Sequence, residues 1–405
     1  MKVDYATMDL ARQLMERQAD GHLPAMRGMI SSWGTLSDSD LGLILQRLKP
    51  INDAIVHEGD KVLGKIEEVY SLGSSNMKAT LEAYLRADEA AYCEVQKVAS
   101  EMGVQLPTYK DPRDSFSSLG AAEQTAPPFY GGGDPDLPVQ AFQDGYRSGT
   151  FVREQPAQIL DRIGETFSAD RGLRETVDPQ TFLVTPTGSL SEIENLRWSA
   201  GIVLGSVDWV FEQIFGFSLL DEVVYKPFAG DWNRVQQASE AWTHVGGALG
   251  AVSQNTTGML PAMAEWTGRG SEAFLGAATV IAGADSLASS AAGAVSVLIS
   301  GLAILVKEIS KAIGKLLEKI ANFLIKKAAE AATPVAGWAV AVVDVANDLP
   351  KINETYHDFQ TAYKCVNMAY DFISGMVQAK AQVVDRYQQW LDIAEALGRG
   401  VAARA

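Results

Sequence analysis

The residue types that most often carry chemistry are sparse in this sequence. Its four histidines stand at no metal-ligand spacing from one another or from the two cysteines. A phosphate-binding GxxxxGK(S/T) loop and a nucleophile elbow are both missing, and the GGGD run at 131–134 follows no predicted strand. The sequence therefore predicts a protein that is not an enzyme and that uses no metal or cofactor. The histidines are His22, His57, His244 and His357.

A tyrosine followed four residues later by a carboxylate places both side chains on one face of a helix. Three such pairs occur, whereas 12 tyrosines and 50 acidic residues in 405 predict about 1.5 by chance, so the spacing alone is weak evidence. Tyr84 and Asp88 are preferred because they lie late in a predicted helix, where a partner can recognise an exposed ring and carboxylate. The simpler interpretation is that Tyr84 packs and Asp88 is solvated. The three pairs are Tyr5/Asp9, Tyr84/Asp88 and Tyr130/Asp134.

A W-x-G triplet at Trp266–Gly268 is the other candidate for recognition. Eight tryptophans with glycine at 36 of 405 positions predict about 0.7 such triplets by chance, so its context has to support it. The triplet lies between two helical segments, and Gly268 can adopt the positive φ that a helix-turn-helix corner needs. We expect Trp266 to lie across the end of the helix pair.

Helical periodicity places Tyr84 and Asp88 on the second arm of a helix pair. Apolar positions follow one helical face from Leu41 to Tyr70, and the SLGSSN stretch at Ser71–Asn76 predicts a turn. Residues 1–102 are therefore predicted to form a helical hairpin with one or two leading helices. In the helix expected from Met77 to Met102, the inward-facing positions are Leu81, Tyr84, Leu85, Ala91 and Val95.

The elements around the W-x-G triplet are also predicted to be helical. Asp231 is a plausible N-cap for a helix that reaches a turn at Thr256–Pro261 (TTGMLP). Ser271–Lys327 is expected to form one very long helix or two in tandem. Further helices are predicted at 337–348 and 352–397.

The predicted fold class is all-α: an elongated bundle of two antiparallel helical hairpins plus C-terminal helices. Proline and glycine make 103–145 a linker, and 146–190 is expected to be an irregular connector that wraps on another part of the protein. The predicted divisions are a hairpin at 1–102, linker and connector at 103–190, the W-x-G hairpin bundle at 191–306, and amphipathic and C-terminal helices at 307–405.

The composition limits which kinds of partner the protein can bind and how it can be exported. With 47% hydrophobic and 21% charged residues the chain is in the globular range, and a formal charge of −16 makes it a poor nucleic-acid binder. Two cysteines, Cys93 and Cys365, are far apart and each has an apolar neighbour, Tyr92 and Val366, and we expect both to be buried and unpaired. The first 20 residues are charged throughout, so no Sec signal peptide is expected there.

A membrane contact is a further candidate. Ser286–Val306 carries no charge over 21 residues, which is long enough to span a bilayer, but its serines and glycines equally suit close packing in a core. The next helix has an apolar stripe beside lysines at every fourth position, which suits anionic lipid or, alternatively, a solvated face that attracts the protein's own acidic surface. These lysines are Lys307, Lys311, Lys315 and Lys319.

Together these motifs resemble substrates of the actinobacterial type VII (ESX) secretion system. Residues 1–102, with ATLEAYLRADEAAY, resemble small EspC-type secreted proteins, and residues 226–290, with GDWNRVQQASEAW and WTGRGSEAF, resemble the W-x-G hairpins of the Esx group. The two regions make up roughly 40–45% of the chain. Holding both on one polypeptide is similar to the larger PE/PPE-like proteins and to the N-terminal regions of polymorphic toxins.

The resemblance implies a composite export signal with Tyr84 and Asp88 as one half and Trp266 and Gly268 as the other. It further implies a secreted or cell-surface virulence or interbacterial effector whose partners are the type VII machinery and an Esx-like helical protein. Two alternatives stay open. One is a membrane-active, pore-forming effector that uses residues 286–343 on an anionic membrane, and the other is a delivery partner of a separately encoded toxin. Assembly with further copies of the chain is also left open.

Overall fold

The computed structural model describes residues 3–126, 173–188, 230–263 and 266–331, together with positions 357 and 360. The all-α prediction is confirmed: 81% of this part is helical and it contains no strand. Six α-helices can be named in it. They are α1 (Tyr5–Arg17), α2 (Leu23–Met29), α3 (Asp38–Leu45), α4 (Lys49–Glu101), α5 (Trp232–Met263) and α6 (Arg269–Ala331).

The first arm of the N-terminal hairpin runs from α1 through α2. The Asp4 carboxylate begins α1 by accepting hydrogen bonds from the backbone amides of Ala6 and Thr7. Two π-helical turns, Gln18–His22 and Ile30–Gly34, join α1 to α2 and continue beyond it, so the arm is nearly continuous. Its inward side chains are fully buried: Met8, Leu14, Met15, Leu23, Met26 and Ile30.

The second arm is α4, which is 53 residues long and has no turn at Ser71–Asn76. The prediction of a turn there was wrong because the small residues serve a helix contact. A Cβ on Gly73 would lie 2.9 Å from the Met15 sulfur of α1, and Ser74 is buried. Glycine and serine at these positions let α1 approach the middle of α4.

The two arms of this hairpin are antiparallel. Near the start of α1, Tyr5 contacts Asp88, whereas Arg27 in α2 reaches back to Asp60, with Nε 2.7 Å from Oδ1, and to Glu67 at 3.0 Å. Residues later in the first arm therefore contact residues earlier in α4. Residues 1–102 thus contain a helical hairpin, but its arms are 5–34 and 49–101, and not the two segments on either side of Ser71–Asn76 that the sequence predicted.

A second antiparallel hairpin is formed by α5 and α6. The Asp231 carboxylate caps α5 as predicted, accepting from the amides of Asn233 and Arg234 at 3.1 Å each. The break expected at Thr256–Pro261 was wrong, because α5 continues to Met263. Of the two alternatives for the next segment, the single long helix is correct, and α6 passes through position 306 without interruption.

Small polar residues bring α5 and α6 close together. Ser239 Oγ lies 3.0 Å from Ser296 Oγ, Ser289 Oγ donates to the Gly246 carbonyl at 2.7 Å, and Ser253 Oγ donates to the Ala282 carbonyl at 2.8 Å. These pairs also fix the antiparallel register of the two helices. In the uncharged run at 286–306, Ser289 and Ser296 therefore act as helix-contact residues.

The two hairpins share one hydrophobic core. Trp242 of α5 packs against two glycines of the first hairpin: a Cβ on Gly59 would lie 2.4 Å from the indole Cη2, and one on Gly34 would lie 3.1 Å from Nε1. Only a residue without a side chain fits at Gly59. The indole and the two glycines thus set how closely the hairpins pack.

The described parts of the linker and connector lie on the helices, as the sequence predicted for the connector. Gln124 and Val177 form an isolated parallel β-bridge between the two segments. Arg17 donates to the carbonyls of Leu119 and Gly120, and the Asn255 side chain accepts from the amides of Thr176 and Val177 at 2.9 Å each. Several predictions lie outside the described residues: Tyr130/Asp134, Cys365 and the helices at 337–348 and 352–397.

Candidate recognition site at the hairpin ends

The W-x-G triplet forms the corner between α5 and α6. Gly268 has φ +125°, so the expected positive φ is confirmed, and a side chain at this position would be strained. The Trp266 amide donates to the Met263 carbonyl at 3.1 Å, and Ser271 Oγ donates to the Trp266 carbonyl. The corner is therefore held from both sides, which fixes the direction of the indole.

Tyr84 of α4 packs directly against that indole. The ring centroids of Tyr84 and Trp266 are 6.4 Å apart at an interplanar angle of 80°, an edge-to-face contact. On its other side the indole meets Phe274 of α6 at 5.8 Å and 44°. The expected proximity of Tyr84 to Trp266 is thus confirmed, across the interface between the two hairpins.

Little of the indole is accessible from outside. Trp266 is 4% exposed, while Tyr84 is half-buried, and among the described residues the buried indole Nε1 has no hydrogen-bond partner. Gly270 closes the corner, because a Cβ there would lie 3.2 Å from Trp266 Cζ2 and 3.3 Å from the Tyr84 hydroxyl. Trp266 therefore supports the Tyr84 ring from inside, and of the two rings Tyr84 keeps more exposed surface.

Asp88 is exposed one turn beyond Tyr84, and its partner is the Tyr5 hydroxyl, which donates to Asp88 Oδ2. Burial, followed by this hydrogen bond to the carboxylate, raises the pKa of Tyr5 above its ordinary value. The link to Tyr5 was missed by the sequence analysis, which grouped Tyr5 only with Asp9. Asp9 instead accepts from Arg12 at 2.8 Å and from Gln13 at 2.7 Å.

Beyond Asp88, α4 extends past the first arm, which begins at Tyr5. Val95 is 57% exposed and Met102 is 76% exposed, and Val98 is also exposed. The predictions that Ala91 and Val95 face inward and that Cys93 is buried were therefore wrong, because the described residues place no helix opposite this part of α4. The charged residues flanking the exposed apolar side chains are Glu89, Glu94, Lys97 and Glu101.

A small apolar cavity of ≈ 50 Å³ lies beneath the site, between α4 and α6. Its walls include Met77 and Thr80 of α4, Trp266 of the corner, and Phe274 and Ile281 of α6. The space is about that of a few methyl groups, so it leaves the indole loosely packed on one side.

The candidate membrane residues lie elsewhere, on α6. In the described part, α6 is the one helix long and apolar enough to cross a membrane by length and composition, over Arg269–Ile304, and 44% of its most apolar stretch is buried. Lys315 is exposed, whereas Lys307, Lys311 and Lys319 are half-buried. The membrane contact remains a prediction.

The described residues contain no group of histidine, cysteine, aspartate and glutamate side chains that could hold a metal ion. No protein-family model, curated protein or solved structure matches the chain.

Proposed function

We propose that this protein is a non-enzymatic substrate of a type VII secretion system. Its export signal is composite, with Tyr84 and Asp88 as the part that is recognised and Trp266 and Gly268 as the part that positions it. The observation that carries the proposal is the edge-to-face contact of Tyr84 with Trp266 at 6.4 Å, made between side chains of two separate hairpins.

The burial of each side chain supports this division of roles. Trp266 is buried, so its contribution is to support the Tyr84 ring and not to contact the machinery itself. Gly268 supplies the backbone conformation of the corner, and Tyr5 holds the exposed carboxylate of Asp88. Because the parts come together only when both hairpins are docked, a signal of this kind selects folded chains.

The exposed end of α4 supports a protein partner. The apolar side chains of Val95, Val98 and Met102 lie on a helical segment with acidic neighbours on the same surface. A complementary surface on the machinery is an apolar groove with lysine or arginine at its rim, since burial of these side chains supplies affinity and the charges supply orientation.

The proposal is tested by export in cells with and without a functioning type VII machine. Tyr84→Ala and Asp88→Asn are each expected to reduce the protein in the culture medium by about tenfold or more, while the amount inside the cell rises. Glu68→Gln is the matched control, because it removes an exposed carboxylate of α4 that pairs with Lys65 at 3.0 Å and lies outside both the recognition site and the exposed end of α4. Far-UV circular dichroism of the purified variants checks that the helices are intact. Unchanged export of folded Tyr84→Ala would refute the proposal.

Partial exposure of the apolar stretch of α6 favours one second candidate, a membrane-active effector. Its test is the release of dye from liposomes containing anionic lipid, at pH 7.5 and at pH 5. Release that depends on anionic lipid and is reduced by Lys315→Gln would support it. The absence of release at either pH would exclude it.

A further inference from the structure

Residues 173–188, which we name the strap, cross both hairpins and are held at two ends by different chemistry. The first half of the strap contacts α1, the adjoining π-helical turn and the middle of α5. The second half contacts α5 about three to four turns nearer its start, at His244 and Glu240. Neither end takes part in the recognition site, so the behaviour of the strap is independent of the proposed function.

Glu175 is the anchor of the first half. It is 3% exposed, and its carboxylate lies 2.6 Å from Arg17 Nη1 and 3.1 Å from His22 Nε2, with Asn255 Nδ2 at 3.4 Å. The backbone of this half is satisfied as well, because Asn255 and the bridge at Gln124 bind its amides and carbonyls.

His244 and Glu240 anchor the second half. His244 is 2% exposed, and its Nδ1 lies 2.8 Å from the Val184 carbonyl, so Nδ1 carries a proton and donates it. One turn earlier on α5, the Glu240 carboxylate accepts from the amides of Thr187 at 2.8 Å and Gly188 at 3.3 Å.

The charged groups that face the two anchors differ. Glu175 faces Arg17 of α1 at 2.6 Å and His22 of the π-helical turn at 3.1 Å. His244 faces Glu240 on its own helix, and this carboxylate is already engaged with two strap amides. On α6, the side chains described next to this part of α5 are uncharged serines, such as Ser289 and Ser296.

Protonation of His244 and of Glu175 therefore weakens the two ends of the strap to different degrees. Burial lowers the pKa of His244, more than the Val184 carbonyl and Glu240 raise it. Burial by itself raises the pKa of Glu175, but the hydrogen bonds from His22 and Arg17 outweigh it and hold that pKa below its ordinary value. Both groups bind protons more readily when the strap is open, so acid favours opening.

The order of release is set by the ordinary pKa values of the two groups. The contribution of His244 is lost as the pH falls below 6.5 toward its lowered value, because the charged ring needs water that the closed strap excludes. The contribution of Glu175 is lost only as the pH falls below 4.5.

We propose that the strap is an acid-operated device with unequal ends: at mildly acidic pH the half held by His244 and Glu240 leaves α5, while the half held by Glu175 stays. Opening uncovers a strip of α5 around His244 that the strap covers at neutral pH. The hairpins themselves stay folded, because the strap residue of the core, Leu173, is in the half that stays, and the corner lies outside the strap.

Amide hydrogen exchange of the full chain, compared at pH 7.5 and pH 5.0 after correction for intrinsic rates, tests this proposal. The peptide containing Thr187 and Gly188 is expected to lose about tenfold in protection at pH 5.0. The peptide containing Thr176 and Val177 is expected to change less than twofold, as are peptides from the interior of α5.

Two variants separate this device from general acid unfolding. His244→Gln keeps a side-chain donor but does not titrate, so the loss of protection at pH 5.0 is expected to disappear. Glu123→Gln is the control, since Glu123 lies beside the strap in an exposed pair with Arg174 at 3.4 Å. Equal protection of Thr187 and Gly188 at both pH values would overturn the proposal, and so would simultaneous loss in both halves or an unchanged response in folded His244→Gln.

Discussion

Asp285 gives a measurable relation between pH and stability. Its carboxyl is fully buried where α4, α5 and α6 meet, with the Tyr70 hydroxyl 2.6 Å from Oδ2, while Oδ1 has no hydrogen-bond partner in the part of the chain that the structure describes. The Tyr70 hydroxyl also lies 2.5 Å from Thr256 Oγ1, which donates to the Val252 carbonyl at 3.1 Å. Since Thr256 uses its proton on that carbonyl, Tyr70 can donate to Thr256, and a protonated Asp285 then completes the chain.

The pKa of this carboxyl sets the size of the effect. Burial raises the pKa of Asp285 from 3.8 to about 8, against the hydrogen bond with Tyr70 that lowers it. Because the folded pKa is raised, the stabilising contribution is complete below pH 3.8 and is lost as the pH rises to about 8. Within that window the slope is about 1.4 kcal/mol per pH unit, so about 3 kcal/mol is lost between pH 5 and pH 7.

Urea unfolding of wild type and Asp285→Asn, followed by circular dichroism at pH 5, 6, 7, 8 and 9, measures this slope. Asparagine has nearly the same shape and can donate to Tyr70 at every pH, so the free-energy difference between variant and wild type should change by about 3 kcal/mol in favour of the variant from pH 5 to pH 7. It should level off above about pH 8. Protonation of groups in the strap affects the stability of both proteins equally, so it cancels in the free-energy difference. Parallel curves for the two proteins would show that Asp285 is not held protonated.

Two glycines give further predictions. Gly270→Ala should lower export and shift tryptophan fluorescence, because the new methyl group enters at 3.2 Å from the indole of the recognition site, whereas Gly276→Ala, with nothing within 4 Å, should change neither. Gly59→Ala should lower the free energy of unfolding by about 1–3 kcal/mol, because its Cβ would lie 2.4 Å from Trp242. Gly64→Ala, whose Cβ would lie 3.5 Å from Arg27 Cζ at an ordinary van der Waals distance, should be neutral or stabilising by up to about 1 kcal/mol, and a larger loss at Gly64 than at Gly59 would contradict the packing argument.

The sequence analysis correctly predicted the structural features that depend on residues close together in the sequence. Asp231 caps α5 because its carboxylate reaches amides two and three residues away, and Gly268 turns the corner because its own φ is positive. Each of these depends on neighbours in sequence and needs no knowledge of the rest of the fold. The all-α class is predicted in the same way from helical periodicity along the chain.

The predictions that were wrong concern segments whose structure depends on residues far away in the sequence. The glycine and serines of Ser71–Asn76 are typical of a turn, but the same small side chains also suit a helix that another helix crosses, and Met15 makes the second outcome the real one. From the helical periodicity we predicted that α4 is buried on one face as far as Val95. The first arm begins at Tyr5, opposite Asp88, and therefore does not cover the last turns of α4. Neither the contact with Met15 nor the length of the partner arm can be read from the residues of α4.

The same distinction bears on how the proposed signal works. The two motifs are each weak by chance statistics, and local sequence carries no more information about them than their spacing. In the proposed signal, specificity would come from bringing the two motifs together, because Tyr84 packs against Trp266 of the other hairpin and Tyr5 holds the neighbouring carboxylate. Secretion machinery that binds this arrangement would bind only chains in which the two hairpins are docked. Short and common motifs are then sufficient for a selective signal.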